Sequence, residues 1–414
     1  MCAVPAKEHN TIWNDRFISI LIINFVMNMG QFMMNALIPK YAYFLGANAA
    51  TVGIVSSMFA VTALIIRPVA GPAMDYYSKN RLLTASVSMI AVAFVVYGLS
   101  KDVTAIIIAR LFHGLGIGVA VPLGLAMATN AIPEEKMVSG VGIYSMGAAV
   151  ATAVGPWLGL KLMELLGYNN TFFITAAWLV LCVLLTLRMK SNTPVRHSRF
   201  RIKLDRVFVT DVIVPTTIIF LVTFAYSSIS SFIVIYAGLM DIDQVGLYFT
   251  AYAISLLISR PISGAVADKY GIGKVIIPGL LIFAASFIII SYARTLPMLI
   301  LTGVLCAFGH GVCVPTLQAL CMLLVPKQRR GAAGNTNYIG SDSAYLLGPT
   351  AAGFIITGIQ NITGSELSGY QGMYRMMVIP VIAALLFFIL ARKFIREKLA
   401  KQETAGDIVG IDTP

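Results

Sequence analysis

Twelve apolar runs of membrane-spanning length, set apart by short polar breaks, leave this chain few folds to choose from. They fall near residues 17–38, 50–70, 82–99, 104–129, 138–160 and 170–188, then 211–237, 246–267, 275–293, 297–323, 333–358 and 374–392. A helix rising 1.5 Å per residue needs about 20 apolar residues to cross a hydrocarbon core ~30 Å thick. Inside that core every backbone N–H and C=O must find its partner within the segment, so such runs become helices. Composition agrees: 58% of the residues are hydrophobic and 12% charged, about half the charge of an average soluble domain. Disorder, a coiled coil and a small disulfide scaffold are excluded by the same figures. The expected class is an all-α polytopic membrane protein.

The net charge of +12 would suggest nucleic acid in a soluble protein. Here its position matters more, because cytoplasmic loops collect Lys and Arg. If the amino terminus is cytoplasmic, 24 of the 30 basic residues fall at cytoplasmic ends and loops, Arg67 and Arg260 counted among them. Five (Lys40, Lys101, Lys161, Arg294 and Arg375) fall outside, and Arg110 lies within a span. Both termini are therefore expected in the cytoplasm, with an even number of spans and no role for nucleic acid. The basic residues Arg188, Lys190, Arg196, Arg199, Arg201, Lys203 and Arg206 crowd the one long polar stretch. Residues 1–188, 189–210 and 211–414 thus read as a first half, a basic linker and a second half with its tail. Five cysteines, an odd number, four of them within apolar runs, argue against a disulfide framework. Trp13 to Arg16 interrupts the amino terminus before any long span, so no cleavable signal is expected and the first span would direct insertion.

The halves repeat. Arg67-Pro68-x-x-Gly71-x-x-x-Asp75 recurs as Arg260-Pro261-x-x-Gly264-x-x-x-Asp268, an offset of 193 (260 − 67). The same offset carries Gly116 to Gly309, Pro122 to Pro315, and Gly155-Pro156 to Gly348-Pro349. Six spans per copy give both copies one orientation, a parallel repeat about the membrane normal.

Two parallel six-helix halves with a basic central linker resemble the major facilitator superfamily of secondary transporters. The stretch from Gly71 through Asp75 to Arg81 is similar to its signature loop between helices 2 and 3, although the basic residue after Asp75 and the later Gly are missing. The copy Gly264 to Gly271, with Asp268 and Lys269, is closer to the pattern. In the family this loop latches the halves in the outward-open state. Arg110-x-x-His113-Gly114-x-Gly116 resembles a helix-4 motif of drug:proton antiporters, with His113 where Gln is usual. Ala151-x-x-x-Gly155-Pro156-x-x-Gly159 is similar to their helix-5 motif, with Ala151 and Leu160 in place of glycines. The resemblance implies alternating access, favours export, and gives Gly155-Pro156 and Gly348-Pro349 a part in switching.

The residues themselves single out a few positions. A charge inside hydrocarbon costs about 2.5–3.5 kcal/mol, and the sequence places two charges deep, Arg110 and Asp342. Asp342 sits about 15 Å into its span, at the depth where such proteins hold substrate. It would bind a proton, pair with a cationic substrate or trade one for the other; the alternative is an ion pair that fixes packing. Arg110 would couple protonation to gating or bind an anion, with His113 and His310 assisting. Asn24, Asn28, Gln31 and Asn35, spaced 4, 3 and 4, share one helical face, which lines a cavity or bonds neighbouring helices. Tyr144, Tyr226, Tyr248, Tyr252, Asn337 and Tyr338, with Ser227, Ser230 and Tyr345, would wall an amphipathic cavity suited to a small organic molecule. Cys306, His310 and Cys313 share a face but bring no carboxylate, so packing is the preferred reading over a metal site. Asn169-x-Thr171 and Asn361-x-Thr363 match the glycosylation pattern only weakly. No phosphate loop, protease motif or nucleophile elbow is present.

The expectation is a cofactor-free, monomeric secondary transporter in the cell membrane, exporting a small amphipathic compound against protons. The alternatives are uptake of an organic anion, sugar or peptide held by Arg110, and, from another class, a non-transporting receptor. An intramembrane enzyme would want clustered acids or histidines, and the sequence offers none.

Overall fold

The computed structural model describes residues 12–133, 136–189, 208–326 and 329–404. Among them there is no strand. The first half comprises α1 (Asp15–Phe44), α2 (Ala49–Tyr76), α3 (Lys79–Leu99), α4 (Val103–Thr129) and α5 (Met137–Arg188). The second comprises α6 (Ile213–Gly238), α7 (Gly246–Tyr270), α8 (Gly273–Tyr292), α9 (Leu296–Leu323), α10 (Arg330–Thr363), α11 (Glu366–Met376) and α12 (Val378–Thr404). A 3-10 turn at Thr210–Val212 leads into α6.

Twelve crossings follow from these helices. α5 holds two, divided at Gly167, whose φ of 79° belongs to the left-handed region that glycine enters without strain. Short α11 and α12 make the last crossing together. α10 has the length but carries Asn335, Asn337, Ser341, Asp342 and Ser343, so it is not among the ten described stretches apolar enough to be marked as spans. Helices start where the sequence supplies a cap: Asn14, Asn48, Asp102 and Ser365 each accept a bond from a backbone N–H three residues on. Several helices outrun the apolar runs that announced them. α12 continues to Thr404, past the expected end at 392, because Arg392, Lys393, Arg396 and Lys398 are good helix formers. The basic linker falls mostly outside the described residues.

Small residues bring the helices together, as van der Waals packing requires where lipid is as apolar as the protein. A Cβ on Gly116 would lie 2.7 Å from the Ser86 carbonyl of α3, and one on Gly309 would lie 2.8 Å from Phe283 Cα of α8. Leu181, Leu187, Ile379 and Leu390 are left on the outer surface, an apolar belt that suits acyl chains.

Odd-numbered connections (residues 45–48, 100–102, 239–245, 293–295 and 364–365) lie at one end of the bundle. Even-numbered ones (77–78, 130–133, 271–272 and 324–326) lie at the other. The halves meet where α2 packs on α10, α5 on α7 and α1 on α6. Near the odd end this contact is tight. Gly53 and Gly353 lie against the Pro349 and Ala49 carbonyls, Ala50 N donates to Thr357 Oγ1 at 3.2 Å, and Gly246 packs on Trp157. Towards the even end α7 is exposed nearly all round from Arg260 to Ala265, so the halves part there.

Candidate functional site

The central feature is an ion pair across the two halves. Arg67 of α2 donates through Nε and Nη2 to the two carboxylate oxygens of Asp342 on α10, the second bond at 3.2 Å. Its guanidinium also lies 4.6 Å over the Tyr338 ring. Both charged residues are 8% exposed. Arg67 therefore does not belong with the cytoplasmic-end charges, where its place in the sequence had put it. It stands nine residues before the end of α2, about 13 Å in by helical rise, and the helix runs on past Pro68. Arg260 is likewise ten residues inside α7. Four charges, not two, therefore lie deep: Arg67, Arg110, Arg260 and Asp342.

Further towards the odd end the same helix pair continues with a Ser57–Thr350 hydroxyl bond of 2.8 Å and a Phe59–Tyr345 ring contact of 6.2 Å. Arg110 of α4 reaches α2 rather than an acid. Nε donates to the Val55 carbonyl at 3.3 Å and Nη2 to the Ser56 carbonyl at 2.6 Å, while the Phe59 ring lies 4.3 Å below. Its Nη1 is buried without a partner and borders a small cavity lined by Asn35, Ser56, Ser231 and Tyr345. His113, on the same helix, turns instead into the first half. Its ring lies edge-on to Phe94, and Nδ1 is 3.3 Å from the Tyr97 hydroxyl.

The amide stripe of α1 is largely bonded to itself. Asn28 donates to Asn24 Oδ1 at 2.9 Å, Gln31 donates to Asn35 Oδ1 at 2.9 Å, and Asn24 donates to the Tyr144 carbonyl of α5 at 3.1 Å. Gln31 Oε1, the Tyr144 hydroxyl and Asn337 Oδ1 stay buried and unsatisfied, which leaves polar capacity beside the α1–α5 and α10 walls.

In the second half an aromatic group forms on α6, α7 and α9. Tyr226 stacks on His310 with centroids 3.8 Å apart and planes 7° from parallel, and on Tyr252 at 5.6 Å. The Tyr252 hydroxyl is 3.1 Å from His310 Nδ1. Tyr248 is buried nearby with an unsatisfied hydroxyl. Cys306 and Cys313 turn towards α8, where they meet Ser286 Oγ at 3.3 Å and the Ile276 carbonyl at 3.7 Å. The His310 ring thus stacks on α6 while the two thiols face α8, and no metal-binding group of three such side chains occurs among the described residues.

The Gly-Pro motifs occupy matching places. Gly155 lets α5 approach α1, where a Cβ would meet Phe32 Cβ at 3.0 Å; Gly348 lets α10 approach α6, where it would meet the Phe224 carbonyl at 2.6 Å. Pro156 and Pro349 follow inside unbroken helices, each with one backbone hydrogen bond forgone. Gly264 has nothing within 4 Å. Arg81 is exposed at a surface cleft with Tyr76, Tyr77 and Asn80. The side chains at Gly71, Asp75 and Asp268 lie outside the described residues. Arg67 and Arg260 were legible only as repeat positions. The isolation of Arg67 within an apolar run was the signal that would have marked it as buried.

Comparison with known proteins places this arrangement. The sequence model of the Major Facilitator Superfamily matches the chain twice, over residues 20–244 and 216–409. The chain is 24% identical over 339 residues to the multi-drug resistance efflux pump PmrA of Streptococcus pneumoniae, covering 76% of this chain and 82% of that protein. It is 24% identical over 377 residues to the multidrug resistance protein MdtG of Enterobacter lignolyticus, covering 87% and 86%. A crystal structure of a bacterial homolog of the human lysosomal transporter Spinster, inward-facing and unoccupied, superposes with a TM-score of 0.77 at 15% identity, covering 92% of this chain and 97% of that one.

Proposed function

The chain belongs to the Major Facilitator Superfamily, a family of membrane transporters of small molecules rather than enzymes, and from there we propose proton-coupled efflux by alternating access. The substrate in this reading is a small amphipathic organic compound. The observation that carries it is the buried pair between Arg67 of α2 and Asp342 of α10, which joins the halves inside the membrane. Only a carboxylate holds the guanidinium strongly. A proton arriving on Asp342 removes the negative charge, weakens the tie and frees α2 from α10. Arg67, Tyr338 and Tyr345 are the groups that face the acid from the two helices. Release of the proton restores the pair, so one titration event is linked to one rearrangement of the halves.

Export is supported by the printed functions of PmrA and MdtG as multidrug proteins. The basic residues that flank the even-numbered connections, Lys79, Arg81, Lys136, Lys269, Lys274 and Arg329 among them, support a cytoplasmic even face with both termini on that side. On this orientation the halves are closed outward and parted inward, ready to load from the cytoplasm. Residues 1–188 and 211–414 are the rocking bodies, 189–210 is the linker between them, and a single chain in the cell membrane suffices. Proteoliposomes reconstituted with the full chain test the reading. Substrate added on one side should drive proton movement in the opposite direction, and Asp342→Asn should abolish it. Coupled flux that persists in Asp342→Asn, or uptake without counter-movement of protons, refutes it.

A further inference from the structure

The two-fold repeat breaks at one chemically telling place. Arg67 and Arg260 are the same position in the two copies, and the same offset carries Asp342 back to Ala149 (342 − 193). Where α2 meets α10 the guanidinium has its carboxylate. Where α7 meets α5, the equivalent helix pair, the corresponding residue is a methyl group. Among the described residues the Arg260 guanidinium makes no hydrogen bond or ion pair, its carbonyl alone accepting from Ser263.

Its register shows which way it faces. α7 buries Phe249, Ala253 and Leu256, and Arg260 extends that stripe by one more turn. The opposite stripe, with Ile254, Ile258 and Ile262, is exposed apolar surface fit for lipid. Arg260 is nevertheless exposed. By the repeat it takes the place from which Arg67 faces α10, so its exposed side chain is directed to the α5 side of α7, where the halves part. Tyr252, the edge of the Tyr226–Tyr252–His310 stack, stands eight residues before Arg260 on α7. The planar fork of arginine fits a two-oxygen acid.

We propose that Arg260 is an anion-binding residue of the central cavity, and that the transported compound carries an acidic group beside an aromatic or apolar body that lies along the Tyr226–Tyr252–His310 wall. The inference rests on the transport reading, since it takes the gap to be the substrate path. Its chemistry is that of an oxyanion, whether on a soluble acid or on the headgroup of an anionic phospholipid, and the soluble acid is the substrate assigned.

The test is equilibrium binding to the purified full chain in neutral detergent, with 2-naphthoate and the uncharged 2-naphthamide as probes. Wild type should bind the acid about tenfold or more tighter than the amide, the worth of one charge-assisted hydrogen bond. Arg260→Gln should erase that preference and leave amide binding unchanged, which shows that the variant is folded. Ala149→Asp, which supplies the carboxylate the first half has, should erase it as well with Arg260 intact. Equal binding of acid and amide by wild type, or a preference that survives Arg260→Gln, overturns the proposal. So does phosphatidylglycerol displacing the naphthoate completely at stoichiometric amounts. Because no flux is measured, loss of proton coupling in proteoliposomes would count against the transport reading and not against this site.

Discussion

The Arg67–Asp342 pair offers a quantitative test through a double-mutant cycle. The side chains are 7% and 11% exposed, so little water competes for either charge. Replacing Asp342 by Asn keeps the shape but leaves Arg67 buried with the Tyr338 face as its main remaining partner. Breaking a buried pair from one side costs about 3–5 kcal/mol, and the retained ring contact offsets about 1 kcal/mol of it. The net loss is then ~3 kcal/mol, about a hundredfold in the folding equilibrium. Arg67→Met should cost less, about 1–3 kcal/mol, because the stranded carboxyl can take up a proton. The double variant Arg67→Met/Asp342→Asn buries no charge here and should fall close to wild type, a coupling of about 2 kcal/mol or more. Reversible unfolding in mixed detergent–SDS micelles, followed by circular dichroism, measures all three. Single effects that add to within about 0.5 kcal/mol would mean the residues do not hold each other, and the latch would have to be abandoned. The double variant should also be stable yet fail to move protons, which separates a structural tie from a coupling one.

Three further outcomes follow. In a Cys2→Ser background, where the other four cysteines are buried, Arg260→Cys should react quickly with a water-soluble maleimide and Ala253→Cys hardly at all; equal rates would remove the parted even end. Gly348→Leu should cost about 1–3 kcal/mol by overpacking against α6 and stop transport, whereas Gly264→Leu, with open space around it, should leave melting unchanged. A fluorescent reporter fused after Thr404 should be quenched only by agents admitted to the cytoplasm; quenching from outside would invert the assigned orientation.

The fold was largely legible because its determinants are local. Apolar length marks a span, Gly and Pro at one offset mark the repeat, and caps such as Asn48 and Asp102 mark where helices begin. The site was legible only in part. Asp342 and Arg110 stood out as charges within apolar runs, but Arg67 lay close enough to the basic even connection to be grouped with it. What reassigns it is a residue 275 positions away, and no local pattern reports a partner at that distance. His113 shows another limit: it stands one turn along α4 from Arg110, and its contacts with Phe94 and Tyr97 of α3 come from helix packing that the motif does not report. The amides of α1 were placed on one face correctly, but whether such a face serves a ligand or itself depends on side-chain torsions that spacing does not specify.

The repeat also explains why so few charges suffice. The repeat sets equal residues at equal places, so each half carries an arginine nine or ten residues inside the even end of its second helix. Pairing both would leave the gap without a free cation. The chain keeps an acid on α10 and a methyl on α5, with the glycines that close α5 on α1 and α10 on α6 unchanged. The gating geometry thus stays symmetric while the charges do not. In the division proposed here, one arginine ties the halves together through a group that can be protonated, and its twin faces the open gap. Exchanging the roles, by Asp342→Ala together with Ala149→Asp, tests that division. If the two sites are equivalent, the exchanged variant should regain the stability lost in Asp342→Ala by itself, yet bind 2-naphthoate no tighter than the amide unless Arg67 now takes the acid. A variant that recovers no stability would show that only the α2–α10 contact is shaped to hold a pair, and that the asymmetry lies in the backbone rather than in two side chains.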